Sequence, residues 1–478
     1  MDRQQRHTRR RRSPHEGLDR MLGEAMRQAG IPADRRQAFL TEAFGRLWNE
    51  IKEERMNQRI ITENNIRNLG IRLPNGTVNK DYTAGFTLPN GEISAPRLDG
   101  AYELGLELVY SPEDGKCQIT GRPHTPGDYT LTLRYRTVEG EPESELRLPI
   151  AFNPDPRSLW RNIPTDPKVI YYKPDSETAY VKVEAGPDGT PRKDIVAASQ
   201  RGRSHAQEGR PRDDHFLVEH CDRSDWYVLA VADGAGSAKF SRKGSEVACD
   251  TAVRYCLNRI DDNPAFEQAI RDYAADRANT DRRHALTQFV YDIVLRGAQA
   301  AHKAVCGLAD QQSDIRIKDF ATTLMFAICK RFDFGWFVAS FWVGDGAMCL
   351  ISENGDIKLL GTPDEGEFSG QTRFLTMPEI FRDRNVYNRL KILIEPDFQK
   401  LLLMTDGVSD PMFETDRNLN DPAKWRELLD RLAHGFPADG IGGVDLADDN
   451  EKAADQLLGW LDFWSPGNHD DRTIAILY

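Results

Sequence analysis

WYVLAVADGAG (226–236) decides the reading of this chain: an unbroken apolar run that stops at an aspartate followed by glycine. The same pattern returns in FVASFWVGDGA (337–347) and KLLLMTDGVSD (400–410), and GNHDDRTIAILY (467–478) inverts it, with an acidic pair ahead of the run. Short apolar runs rich in β-branched and aromatic residues and bounded by turn residues read as buried strands. Asp-Gly alone is a common turn dipeptide, and Asp99-Gly100, Asp114-Gly115 and Asp188-Gly189, in polar surroundings, read as plain turns. Carboxylates repeated at the ends of apolar strands are different. Brought together, they form either a costly cluster of like charges or a site for hard divalent cations.

Six motifs then fall in one order: IVAASQRGRSHAQEGRPRDDHF (195–216), VADGAGSAKFS (231–241), DFATTLMFAI (319–328), WVGDGAMCLI (342–351), LLLMTDGVSD (401–410) and HDDRTIAILY (469–478). Their order and wording resemble the metal-dependent protein phosphatases (PPM, protein phosphatase type 2C) over roughly residues 193–478. The resemblance implies an α-β-β-α sandwich that binds two Mn²⁺ or Mg²⁺ ions, with a third, weaker one in some members. It implies hydrolysis of phosphoserine and phosphothreonine by a water activated between the metals. Residue by residue, it implies that Asp233 bridges the ions, that Gly234 offers its carbonyl, and that Asp406 and Asp470 are direct ligands. Asp213 and Asp214 would hold metal-bound waters, and Asp345 would serve the third ion. Thr322 and Thr323 read as strand residues packed near the site. Three departures stand out. Ala235 occupies the position where animal members carry a histidine, so the proton donor is unassigned. The acidic pair is Asp-Asp, where Glu-Asp is usual. No single arginine matches the phosphate-binding one: Arg201, Arg203, Arg210 and Arg212 are all candidates, and His205 is another.

The composition fits an enzyme of this kind. Of 478 residues, 39% are hydrophobic and 29% charged, enough apolar material for a real core. The net charge of −12 argues against a nucleic-acid binder, apart from the basic arm MDRQQRHTRRRRSP (1–14). Seven scattered cysteines without a CxxC pair read as reduced thiols. No apolar run reaches membrane-spanning length and no signal peptide is evident, so the expected location is the cytoplasm, in a bacterial signalling setting.

The expected class is α+β, with further domains ahead of the phosphatase part. After the arm, residues 15–58 read as a helical hairpin too small to stand alone. Residues 60–155 carry short alternating runs between Gly, Pro and Asn. The stretch LVYSPEDGKCQITGRPHTPGDYTLTLRYR (108–136) resembles Ig-like modules, which act as binding or spacer domains. Residues 156–192 read as a linker with strands at VIYYK (169–173) and TAYVKV (178–183). Residues 239–310 read as two helices, and 362–389 as a polar flap. FSGQTRFLT (368–376) resembles a bacterial subgroup accompanied by a Ser/Thr kinase and a von Willebrand-type protein, which adds these to a phosphoprotein substrate as expected partners. The alternative reading is a pseudophosphatase, or an adaptor acting through its N-terminal half.

Overall fold

In a computed structural model, which describes residues 14–137, 142–186, 189–310, 314–364, 372–382 and 384–478, the chain divides into two compact units, Met1–Leu159 and Trp160–Tyr478. The basic arm, except its last residue, and the start of FSGQTRFLT lie outside the described residues.

The first unit opens with helices Pro14–Gln28 and Arg36–Asn68. The second helix runs ten residues past the expected end at 58. Its middle is exposed, with Phe44, Leu47, Trp48 and Ile51 uncovered, and burial resumes only at Thr62 and Ile66. Among the described residues, seven strands follow in two sheets. One has the order Gly76–Thr77, Ser144–Asn153, Gly127–Arg136, Ser94–Asp99; the other has Tyr82–Thr87, Lys116–Gly121, Leu106–Tyr110. Their inward residues, including Ile119, Leu133 and Phe152, share one core with Ile66 of the long helix.

The second unit is built on two antiparallel sheets. The first runs in the order His215–Cys221, Trp226–Ala232, Leu324–Phe332, Gly335–Val343, Leu390–Glu395. The second runs Ile357–Leu359, Ala347–Ser352, Phe398–Met404, Arg472–Leu477, Ile195–Gln200, Ser176–Val181. Leu229, Val231, Met325, Trp336, Leu401 and Ala475 fill the space between the sheets. The other face of the first sheet packs under helices within 241–309, and that of the second under Asp406–Phe413, Pro422–His434 and Ala453–Trp460. Both faces of the central strands are therefore dry, while the edge strands are partly exposed. This explains why Trp226–Ala232 is apolar at every position, where a half-exposed strand would alternate.

Two expectations need correction. Region 239–310 holds more than two helices. Ser241–Ile260 is followed by Pro264–Ala275, capped by the Asn263 side chain, and then by Thr280–Val290, which continues through a π-helical turn into Arg296–Ala309. The expected linker is no linker beyond residue 159. It folds into the second unit, where Ser176–Val181 is an edge strand, while VIYYK forms no strand. Among the described residues, no helix is long and apolar enough to cross a membrane. All seven cysteines are free thiols.

Candidate metal centre

The ends of these strands bring the acidic motifs together. Asp233 follows Trp226–Ala232, Asp345 follows Gly335–Val343, and Asp406 opens the helix after Phe398–Met404. Carboxylate oxygens of these three lie within 4.8 Å of one another. Asp470 comes just before Arg472–Leu477 and groups instead with His205 and Asp471.

The backbone around Asp233 is clamped by the paired threonines. Asp233 N donates to Thr323 Oγ1 (2.8 Å), while Thr322 Oγ1 and Thr323 N both donate to the Asp233 carbonyl (2.8 Å each). These threonines thus fix the direction in which the strand end points, beyond packing on a strand. Glycine is demanded where segments cross. A Cβ on Gly234 would lie 2.6 Å from the Asp213 carbonyl oxygen, and one on Gly407 would lie 1.9 Å from that of Asp471.

The three-aspartate group is electrostatically uncompensated. Among the described residues no Lys, Arg or His forms a salt bridge with Asp233, Asp345 or Asp406. Burial, then the charges of Asp406, Asp214, Asp470 and Asp345, hold the Asp233 carboxyl well above the usual range. Burial, then Asp345, Asp470 and Asp214, do the same to Asp406. Asp345 Oδ1, Asp406 Oδ1, Asp213 Oδ1 and Asp214 Oδ1 are buried with no hydrogen-bond partner. A buried acceptor left unsatisfied costs about 1–3 kcal/mol, more when charged. Oxygen-only donors, several carboxylates and missing counter-charge fit a hard divalent ion such as Mg²⁺ or Mn²⁺. The residues that could hold one are Asp233, Asp345 and Asp406, with Asp470 near enough for its charge to act on Asp233 and Asp406.

The neighbouring acidic pair is differently supported. Asp214 Oδ2 accepts from Thr405 Oγ1 (2.9 Å) and Thr473 Oγ1 (2.7 Å), the residues flanking the other acidic motifs. Asp213 lies 3.2 Å from Arg210, 3.5 Å from His205 and 3.6 Å from Arg242. Asp471, which the sequence reading left without a role, accepts from Gly202 N (2.6 Å), Asp213 N (2.5 Å) and His205 Nδ1 (3.0 Å). Burial opposes its charge, but His205 and these hydrogen bonds outweigh it and lower its pKa. Burial also opposes the charge on His205, yet Asp471 and Asp213 raise it to about 9.

The expected phosphate ligands are engaged elsewhere. Arg201, with its side chain 3% exposed, donates to Thr165 Oγ1 (2.5 Å) and Asn162 Oδ1 (2.6 Å) and pairs with Asp175 (2.9 Å). Arg203 pairs with Asp462 (2.7 Å) and lies over Trp464. His205 is held between Asp471 and Asp213, and Arg212 is fully buried against Glu177. Arg201, Arg203 and His205, expected at the phosphate, are each paired with groups inside the protein. Arg210 remains half-buried beside the cluster and donates to the Gly236 carbonyl (3.0 Å). Ala235, the position without a histidine, packs with Ala238 and Ala321.

The protein phosphatase 2C family model matches residues 201–462, more than half of the chain. The chain belongs to that family. Solved structures similar to it include a bacterial serine phosphatase (13% identity; 59% of this chain and 96% of that one covered; TM-score 0.36). Another is the catalytic domain of the serine/threonine phosphatase PstP with two manganese ions (16%; 63% and 98%; 0.34). A third is RsbX in complex with magnesium (13%; 63% and 98%; 0.31). No curated protein sequence matches the chain.

Proposed function

We propose that this protein is a Mn²⁺- or Mg²⁺-dependent phosphatase acting on phosphoserine and phosphothreonine in proteins. The observation that carries this reading is the group Asp233, Asp345 and Asp406, close together, uncompensated, and with buried oxygens that have no partner. Family membership supplies the phosphatase chemistry, and the acidic group supplies the need for cations. In this reading Asp233, Asp406 and Asp470 with the Gly234 carbonyl hold two ions, and Asp345 serves a third. Asp213 and Asp214 orient metal-bound water, and Arg210, though paired with Asp213, is the most exposed of the four arginines and the one we assign to a phosphate. Ions bound there would neutralise phosphoryl charge and acidify a water molecule. The clamp of Thr322 and Thr323 keeps Asp233 aimed without cost at the moment of reaction. With Ala235 offering no proton, the leaving group takes its proton from solvent held at the rim.

We further assign residues 60–155 to an Ig-like module that docks a partner, in a bacterial cytoplasmic signalling pathway. A kinase and a von Willebrand-type protein as companions rest on the resemblance of FSGQTRFLT alone. A second reading, in which partner binding by the first unit is the main function, is favoured by one observation. Phe44, Leu47 and Trp48 on the long helix are 55%, 51% and 66% exposed. It predicts that Trp48→Glu, rather than Asp233→Asn, abolishes function in the host.

The test of the main reading is phosphate release from a phosphothreonine peptide with Mn²⁺, with Mg²⁺ and with chelator. Release that needs metal and disappears in Asp233→Asn is the expected result. Chelator-resistant release would overturn it.

A further inference from the structure

Residues 160–175 contain no α-helix or strand, and they precede the stretch that matches the family. They nevertheless touch the surroundings of the Asp213-Asp214 and Asp470-Asp471 motifs. Trp160 packs its ring on His469 (centroids 4.4 Å apart), next to Asp470. Asn162, Thr165 and Asp175 take up Arg201. The carbonyls of Ile170 and Tyr171 accept from Arg242, which faces Asp213. The segment then delivers Lys173, 5% exposed, behind the acidic pair.

Lys173 Nζ donates to the Asp214 carbonyl (3.0 Å) and to Ser245 Oγ (3.1 Å). Ser245 Oγ in turn donates to the Asp213 carbonyl (2.5 Å). Both backbone carbonyls of the acidic pair therefore hang on one lysine amine, one directly and one through a hydroxyl. Among the described residues Lys173 forms no salt bridge, and burial, then the charge of Arg212, lowers its pKa to about 7. Burying an amine is costly, and a methionine would fill the same space more cheaply. What a methionine cannot do is hold two carbonyls at fixed positions.

We propose that Lys173 is a positioning residue for the metal centre: it fixes the backbone of Asp213 and Asp214, so that their carboxylates face the ions. This rests on the metal-dependent reading above. Asp213 and Asp214 stand one step behind the metal ligands, where a group typically contributes about 10–100-fold in affinity, and Lys173 acts through them. Asp214 shares Thr405 with the start of the Asp406 helix, so a shift of the pair carries to that ligand as well.

The test is Mn²⁺ binding to the full-length protein, measured by calorimetry and by the EPR signal of free Mn²⁺. It compares wild type, Lys173→Met, Ser245→Ala and the double variant. Lys173→Met should weaken Mn²⁺ binding about 10-fold or more. Its kcat at a fixed subsaturating Mn²⁺ concentration should fall while KM for the phosphopeptide stays within about twofold, and the far-UV spectrum of the chelated protein should be unchanged. Ser245→Ala should weaken binding by a smaller factor, and the double variant should lose less than the product of the two, as expected for groups in one network. Wild-type Mn²⁺ affinity in Lys173→Met, with only the melting temperature lowered, would overturn the inference and leave the lysine a purely structural role. If Lys173→Met does not fold, unchanged Mn²⁺ affinity in Ser245→Ala overturns it equally. A wild-type protein that binds no Mn²⁺ would overturn the metal-dependent reading itself, and this inference with it.

Discussion

Asp406 and Asp471 are both carboxylates at strand ends of the second unit, and the protein treats them in opposite ways. Asp471 is fully satisfied: two backbone N–H groups and His205 surround it, and its pKa is lowered. Asp406 shares its surroundings with Asp233 and Asp345, has an oxygen without a partner, and its pKa is raised by burial and like charge. One is a completed internal ion pair. The other is an incomplete set whose missing partner must come from outside the chain. Acidic residues alone do not mark a site; lack of compensation does.

The comparison can be broken most directly at Asp406. Asp406→Asn should lower metal-dependent turnover by about a hundredfold or more. It should also raise the melting temperature of the chelated protein, because it removes a like charge from the cluster. A variant both inactive and less stable in chelator would show that Asp406 was already compensated. Asp471→Asn should behave in the opposite sense. It leaves the buried His205 charge with only the more distant Asp213 and should cost about 3 kcal/mol in urea unfolding of the chelated protein, a loss that added Mn²⁺ does not reverse.

Acidity sharpens the contrast further. Asp233 and Asp406 hold their protons to higher pH than ordinary carboxyls, and a metal requires them ionised. Mn²⁺ affinity should therefore fall as pH falls through the raised values, by roughly tenfold for each proton displaced per pH unit. Calorimetry in buffers of different ionisation heat would count those protons. No proton release at pH 7 would mean that the cluster is already ionised and compensated. The smallest effect is expected at Thr323. Thr323→Val removes the acceptor of Asp233 N and should cost about 1 kcal/mol, with a few-fold loss of turnover.

Asp233, Asp345 and Asp406 are legible in the sequence because each closes an apolar run, and strand ends are where side chains leave the core. Asp471 is not, because its neighbour Asp470 offers the same letter, and only the packing decides which of the two meets His205. Arg201 and Arg203 read as phosphate ligands for a similar reason. A guanidinium near an acidic motif looks free until Asn162, Thr165, Asp175 and Asp462 are seen around it. The helix Pro264–Ala275 carries its own start signal, Asn-Pro, within a stretch read as two helices. VIYYK has the composition of a strand, but the carbonyls of Ile170 and Tyr171 are taken by Arg242 rather than by a ladder.

The route of residues 160–200 bears on where this phosphatase unit can be cut. The family match opens at residue 201, yet Ile195–Gln200 is hydrogen-bonded along the whole of Arg472–Leu477, and Ser176–Val181 covers its far side. A fragment beginning at 201 would expose Arg472–Leu477, six residues that are all buried in the intact protein, as an unpaired sheet edge. Such an edge is a template for pairing with other chains. The shortest piece that keeps that edge covered and retains the supports of the acidic motifs starts at Trp160, so this molecule's natural border lies some forty residues ahead of the one its family resemblance suggests.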